Sequence, residues 1–92
     1  MSTLRFFRNG HACVVRFDKQ TDCYWGYIGL EPSHEQFGST FVNTCHAGMS
    51  KILPPPELTT NETMMKKWWL GFQGGLDKKK TVDLLTKVAD EI

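Results

Sequence analysis

The first part of the chain contains two short runs rich in apolar residues. The runs cover Leu4–Arg8 and His11–Phe17, and Asn9-Gly10 separates them. Because Asn-Gly tolerates the positive φ angles of a two-residue type I′ turn, the pattern predicts a β-hairpin. A polar turn then leads to Cys23–Leu30, which is rich in aromatic and β-branched residues and is predicted to be a strand.

The middle of the chain has a weaker pattern. Glu31–Gly38 is predicted to be a loop, and Ser39–His46 a strand with Phe41 and Val42 at its centre. Ala47–Thr63 is predicted to be irregular, because its three consecutive prolines favour polyproline II and cannot lie inside a sheet. Met64–Phe72 is predicted to be the last strand, ended by Gln73-Gly74-Gly75.

The C-terminal segment changes to a helical period. Its apolar positions, Val82, Leu85, Val88 or Ala89, and Ile92, fall on one face of a helix of about three to four turns. The predicted fold class is therefore α+β: a small antiparallel sheet of about five strands with one C-terminal helix packed on it. At 92 residues the chain is predicted to form a single domain, residues 1–92.

Composition and charge narrow the possible functions. The chain is 40% hydrophobic and 12% aromatic, values typical of a globular protein. Its net charge of +1 argues against an acidic DNA mimic and against a strongly basic nucleic-acid binder. No leader pattern or membrane-spanning run is evident, and the three cysteines lack CxxC spacing, so a cytoplasmic location is expected.

Residues suited to catalysis or metal binding do not form a recognisable pattern. Cys45 and His46 are neighbours, so in an extended strand their side chains would point to opposite sides and could form neither a nucleophilic pair nor a zinc knuckle. His11 and Cys13 share a strand face, but Cys23 lies too far along the chain to complete a familiar zinc spacing. We therefore expect no enzyme activity, no metal and no cofactor.

Aromatic residues concentrate near histidines and glycines, which favours a ligand-binding site. Trp68 and Trp69 would point to opposite faces of a strand, so one indole is expected on an open face, where it would need a partner. Histidines at loop or strand ends, beside small residues, can supply polar contacts to the same ligand. The predicted ligand-binding residues are Trp25, His34, His46, Ser50 and Trp69.

Four segments together resemble a known family. They are Tyr24–Gly29, Pro32-Ser33-His34 with Phe37-Gly38, His46–Ser50, and Trp68–Phe72. Over roughly residues 24 to 92 this order is similar to a widespread family of small, uncharacterised bacteriophage proteins with the pattern GYVGVPxGHPxYG, VHGGLTY, WWFGFDCAHxxD. Where that pattern has Asp-Cys-Ala-His, this chain has Gln73-Gly74-Gly75-Leu76 and so lacks a carboxylate, a thiol and an imidazole.

The resemblance implies a phage accessory protein that acts in the host cytoplasm, where such proteins often inhibit host defence. The first hypothesis is a sponge, a protein that sequesters a nucleotide-type signalling molecule without turnover and is expected to be a homo-oligomer. The alternative is a protein–protein inhibitor that caps a host defence enzyme or complex, with Trp and Tyr anchors and the Pro54–Pro56 segment as a docking edge. A third, weaker hypothesis is a small nucleotide hydrolase that uses His34 and His46.

Overall fold

An antiparallel sheet with a long C-terminal helix on one face forms the fold, as a computed structural model of the chain shows for residues 3–92. Within these residues the sheet has six strands in the order β1-β2-β3-β6-β5-β4. The predicted α+β class with a packed C-terminal helix is confirmed. The elements are β1 (Leu4–Arg8), β2 (His11–Asp18), β3 (Cys23–Leu30), β4 (Phe41–Asn43), β5 (Gly48–Lys51), a 3₁₀ turn (Pro56–Leu58), α1 (Glu62–Met65), β6 (Trp68–Gly75) and α2 (Lys78–Glu91).

The first hairpin forms as predicted. Arg8 pairs with His11 across a two-residue turn in which Asn9 and Gly10 have φ angles of 54° and 80°. These positive values are those that a type I′ turn requires of both central residues. The turn therefore fixes the β1–β2 register, which places Phe6 opposite Cys13.

Strands β3 and β6 form the centre of the sheet although they are far apart in sequence. Leu30, the last residue of β3, pairs with Trp68, the first residue of β6. Glu31 and Lys67 follow and precede these residues, and their side chains form an ion pair. The chain between them leaves the sheet and returns at neighbouring points, and its β4–β5 hairpin adds to the other edge of β6.

The helix covers one face of the sheet. Its side chains Leu85, Val88 and Ala89 are fully buried, as the helical period predicts. Asp77 is the N-cap residue, and its carboxylate accepts a hydrogen bond from the backbone N–H of Lys80. The strand residues of this core include Cys13, Val15, Ile28, Leu30, Val42, Met49 and Leu70.

A second core lies on the opposite face of the same sheet. Ala12, Val14, Tyr27 and Trp69 point away from the helix and are covered by Leu58 of the 3₁₀ turn. Leu58 is fully buried, so the proline-containing segment is anchored on this face. The sheet is thus covered by α2 on one side and, on the other, by the segment that carries the 3₁₀ turn and α1.

Two predicted boundaries in the middle of the chain are wrong. The predicted strand Ser39–His46 is a strand only at Phe41–Asn43, because the Thr44 hydroxyl accepts hydrogen bonds from the backbone N–H groups of His46 and Ala47 and closes a turn. The chain then pairs back as β5, inside the segment predicted to be irregular. This hairpin raises the strand count from the predicted five or so to six in residues 3–92.

The last strand is also displaced from its predicted position. Met64 belongs to α1, whose N-cap Asn61 accepts a hydrogen bond from the Met64 N–H, so β6 begins later, at Trp68. The strand continues through Gln73–Gly75, which were predicted to end it. Gly74 is required there, since a Cβ at this position would lie 2.2 Å from Oγ1 of the buried Thr81.

Candidate functional site

A groove of about 730 Å³ opens on the face of the sheet opposite α2. One wall is the segment Ile52–Pro56, called the arm below, which leaves the sheet after the Ile52 N–H bonds to the Trp69 carbonyl oxygen. The other wall is the turn between β2 and β3. The groove is lined by Arg16, Phe17, Asp18, Lys19, Gln20, Trp25, Tyr27, Ile52, Leu53, Pro54, Pro55 and Pro56.

Two aromatic rings lie side by side in the groove. Trp25 and Tyr27 are two residues apart on β3, so their side chains share one face of the sheet. Their ring centroids are 6.3 Å apart and their planes differ by 14°. The Trp25 indole N–H donates to the Thr21 hydroxyl at 2.8 Å, which fixes the orientation of this half-buried ring.

A paired arginine lies next to the two rings. Arg16 is directly opposite Trp25 in the β2–β3 register, and its side chain forms an ion pair with Glu57. Burial raises the pKa of the Tyr27 hydroxyl, and the adjacent Arg16 guanidinium acts in the opposite direction. The Arg16 guanidinium therefore lies beside both the Glu57 carboxylate and the Tyr27 hydroxyl, and the Arg16 side chain is 23% exposed.

The β2–β3 turn adds a further cation to the rim of the groove. Lys19 is exposed, whereas the Asp18 carboxylate accepts hydrogen bonds from the Gln20 N–H and the Thr21 hydroxyl. The Asp18 carboxylate thus stabilises the β2–β3 turn. An aromatic surface flanked by Arg16 and Lys19 suits a ligand that combines a flat ring with negative charge.

His34 lies elsewhere, on the helix side of the sheet. Its Nδ1 accepts a hydrogen bond from the Gln36 N–H at 2.9 Å, so the proton is assigned to Nε2, which donates to the Ile92 carbonyl oxygen at 2.9 Å. The His11 ring lies edge-on at a centroid distance of 5.1 Å. Both nitrogens of His34 are therefore engaged, Nε2 with the end of α2 and Nδ1 with the loop that follows β3.

His46 also lies near the end of α2. Its Nε2 is 3.9 Å from a carboxylate oxygen of Glu91, and the same carboxylate accepts hydrogen bonds from the Cys45 N–H. Two predicted residues, His34 and His46, thus contact consecutive residues of the helix end, Ile92 and Glu91. Ser50 is exposed on β5, opposite Gly71 of β6.

The two adjacent tryptophans point to opposite faces, and the structure gives them different surroundings. Trp69 is 2% exposed, and its indole N–H donates to the Met64 carbonyl oxygen at 3.0 Å. Trp68 is half-buried on the helix side, donates to the Ser39 carbonyl oxygen and has the Lys51 ammonium 4.8 Å from its ring centroid. Trp69 therefore offers no open ring face to a ligand.

The five predicted residues do not form one site. Trp25 lines the groove, His34 and His46 lie at the end of α2, Ser50 is exposed on β5, and Trp69 is buried. Arg16 and Tyr27 were not among the predicted residues, and Pro54–Pro56 of the arm was predicted only as the docking edge of a protein–protein inhibitor. A partial signal was present in the sequence, because alternation along β2 and β3 places Arg16, Trp25 and Tyr27 on one face once the register is known.

The thiols and histidines show no metal-binding arrangement in residues 3–92, where no group of three or more His, Cys, Asp or Glu side chains lies close enough to hold an ion. Cys13, Cys23 and Cys45 are free cysteines. Burial raises the pKa of the Cys13 thiol to about 12, so this sulfur stays protonated and unreactive at neutral pH.

Comparisons of the chain with protein-family models, with curated proteins and with solved structures give no match. In the part of the chain that the structure describes, no helix combines the length and apolar character needed to cross a lipid bilayer.

Proposed function

We propose that this chain binds and sequesters a nucleotide-type signalling molecule in the groove, without turning it over. The observation that carries the proposal is the half-buried Trp25 ring, with the buried Tyr27 ring nearly parallel to it, beside the Arg16 guanidinium. A nucleotide combines a flat aromatic base with phosphate, and these are the two chemistries that an indole and a guanidinium recognise. Of the residues predicted from the sequence, this proposal keeps Trp25 and replaces the others with Arg16, Tyr27 and Lys19.

The biological setting of this proposal comes from the resemblance to small bacteriophage proteins. An accessory protein made in the host cytoplasm would inhibit a defence system by lowering the free concentration of its signalling nucleotide. Affinity alone is sufficient for this role, so no catalytic residue is needed. A homo-oligomer remains a prediction, because a second copy would enclose a ligand that one open groove leaves partly in solvent.

Thermal melts against a panel of linear, cyclic and ADP-ribose-type nucleotides test the binding. Ligand at about a hundredfold over its dissociation constant adds roughly 2.7 kcal/mol to the free energy of unfolding. For a domain of this size that corresponds to a rise in the melting midpoint of about ten degrees or more. A panel in which no compound moves the midpoint would contradict the proposal.

Two alanine variants locate the binding site. Trp25→Ala should abolish the shift caused by the active compound, because the ring that stacks on the base is gone. His46→Ala is the matched control, since His46 is exposed at the end of α2 and should leave the shift unchanged. Loss of binding in His46→Ala with retention in Trp25→Ala would move the site to the helix end.

A second candidate function, a protein–protein inhibitor, is favoured by one further observation. Leu53 in the arm is 92% exposed and precedes three consecutive prolines, so the arm presents apolar surface beside the groove. In this role Leu53 and the prolines would insert into a host defence protein. Leu53→Asp should then release a stoichiometric partner that the unmodified chain retains.

A further inference from the structure

We infer that Glu57 occupies, in the free protein, the position on Arg16 that a phosphate group of the ligand takes in the complex. The ligand class is therefore a phosphorylated aromatic compound, and binding exchanges one anion for another on the same guanidinium. This inference rests on the proposed function and adds to it a ligand requirement and an internal competitor.

The backbone of Glu57 is fixed independently of its side chain. The carbonyl oxygen of Glu57 accepts a hydrogen bond from Nη2 of Arg5 at 2.9 Å, and the next residue, Leu58, is fully buried against the second core. The Glu57 side chain, in contrast, is 42% exposed. Its carboxylate can rotate into solvent while the 3₁₀ turn and the arm remain in place.

Arg16 is less able to lose its partner. The Arg16 side chain is 23% exposed and lies against the Tyr27 hydroxyl. Tyr27 itself is only 4% exposed. A guanidinium at such a position requires an anion, because unpaired burial of charge is costly. Glu57 meets this requirement in the free protein, and a ligand phosphate would meet it in the complex.

A phosphate is the better partner for this guanidinium. It offers more negative charge than a carboxylate and three oxygens, of which two accept the parallel N–H groups of arginine and the third remains for a neighbouring donor. The Tyr27 hydroxyl lies beside the guanidinium, and Lys19 is exposed on the same groove. The half-buried Trp25 ring, held beside the buried Tyr27 ring, then fixes which phosphorylated compounds are accepted.

The test uses the full chain, adenosine 5′-monophosphate, adenosine and inorganic pyrophosphate as probes, and isothermal titration calorimetry. Glu57→Gln removes the competing charge and keeps the side-chain shape. It should tighten binding of adenosine 5′-monophosphate by up to about fivefold, the upper end of what one partly exposed ion pair contributes. The affinity for adenosine should stay the same, since adenosine has no group that reaches Arg16.

Glu62→Gln is the matched control, because Glu62 is an exposed carboxylate on α1. It changes the net charge by the same amount and should not alter the affinity for any probe. A gain in Glu62→Gln equal to that in Glu57→Gln would show a general charge effect and would overturn the inference.

The Arg16 side chain provides a second readout. Its Nε–Hε resonance should shift on addition of adenosine 5′-monophosphate and, at higher concentration, of pyrophosphate, but not of adenosine. Equal affinities of the unmodified chain and Glu57→Gln for adenosine 5′-monophosphate would overturn the inference and leave the proposed function intact. Binding of adenosine as tight as that of its phosphate would also overturn it, and the absence of any binding to the unmodified chain would count against both.

Discussion

His11 is an ionisable residue in a place that suits only its neutral form. The residue is 7% exposed, and its Nδ1 is buried with no hydrogen-bond partner among residues 3–92. Burial, followed by the nearby His34, lowers the pKa of His11, although a hydrogen bond with the Ile92 backbone acts in the opposite direction. A proton added to Nδ1 would find no acceptor, so the folded state binds it weakly.

The stability of the protein should therefore fall as the pH drops below about 6.5, the pKa of histidine in an unfolded chain. Between that value and the lower folded pKa of His11, the unfolded state binds more protons than the folded state, so the free energy of unfolding rises with pH. Thermal melts at about pH 5 and about pH 7.5, one below and one above the pKa of histidine in an unfolded chain, measure this loss of stability. His11→Gln should reduce the difference between them.

His46→Gln is the control for this experiment, because it makes the same substitution at an exposed histidine. This variant should show the same difference between the two melts as the unmodified chain. Asp90 does not interfere in this window. Hydrogen bonding by Arg8 lowers the pKa of the Asp90 carboxyl below the ordinary value of 3.8. The contribution of Asp90 to stability is therefore lost only below that pH. An unchanged pH dependence in His11→Gln would contradict the assignment.

At the level of residues, the sequence predicts the direction of a side chain better than its surroundings. Strand alternation correctly places Trp68 and Trp69 on opposite faces. Which of them is covered depends on Leu58 and Met64, which belong to a segment that returns to the sheet through long-range contacts. No local pattern predicts that return, so the sequence alone could not show which of the two indoles is covered.

Among the elements, those with strong local signals were predicted best. The first hairpin follows from Asn9-Gly10, and α2 follows from its apolar period. Strands β4 and β5 span three and four residues and each buries one side chain, Val42 and Met49. A period of two cannot be recognised over so few positions, and these strands form because β6 offers them an edge.

The arm and the 3₁₀ turn that follows it offer a prediction that compares one substitution at two positions, Leu53 in the arm and Leu58 in the turn. Leu58→Ala removes a fully buried side chain from the second core and should cost about 2–5 kcal/mol of the free energy of unfolding. Leu53→Ala alters a side chain that is 92% exposed and should change stability by less than about 0.5 kcal/mol. Urea unfolding of both variants measures the difference.

Leu58→Ala should also weaken nucleotide binding, because Leu58 holds the 3₁₀ turn that follows the arm. Binding is measured at a temperature where the variant is folded, so that lost stability is not mistaken for lost affinity. Similar costs for the two leucine variants would show that the arm is not anchored by Leu58.

At the scale of the whole fold, residues 3–92 form two cores that share the same strands. The helix face and the arm face both use β2, β3 and β6, so neither core can form without the central strands. The Cα radius of gyration is 12.0 Å, which agrees with the size expected for one compact domain of this length. A small domain built this way should unfold as one cooperative unit.

This cooperativity is testable with one variant in each core. Leu85→Ala on the helix face and Leu58→Ala on the arm face should each lower the urea midpoint, while tryptophan fluorescence and far-ultraviolet circular dichroism still report coincident transitions. The slope of the free energy against urea should stay the same. Separate transitions for the two signals in Leu58→Ala would show that the arm face unfolds by itself.

The pairing of Leu30 with Trp68 and the ion pair between Glu31 and Lys67 have an evolutionary consequence. Because the intervening chain starts and finishes at neighbouring points, its length can change without shifting the β3–β6 register. Insertions and deletions in the exposed parts of this segment, away from β4, β5 and Leu58, should therefore cost little stability, and those in the arm alter a wall of the groove. Related chains could exchange this wall to suit a new ligand while inheriting the same sheet and helix.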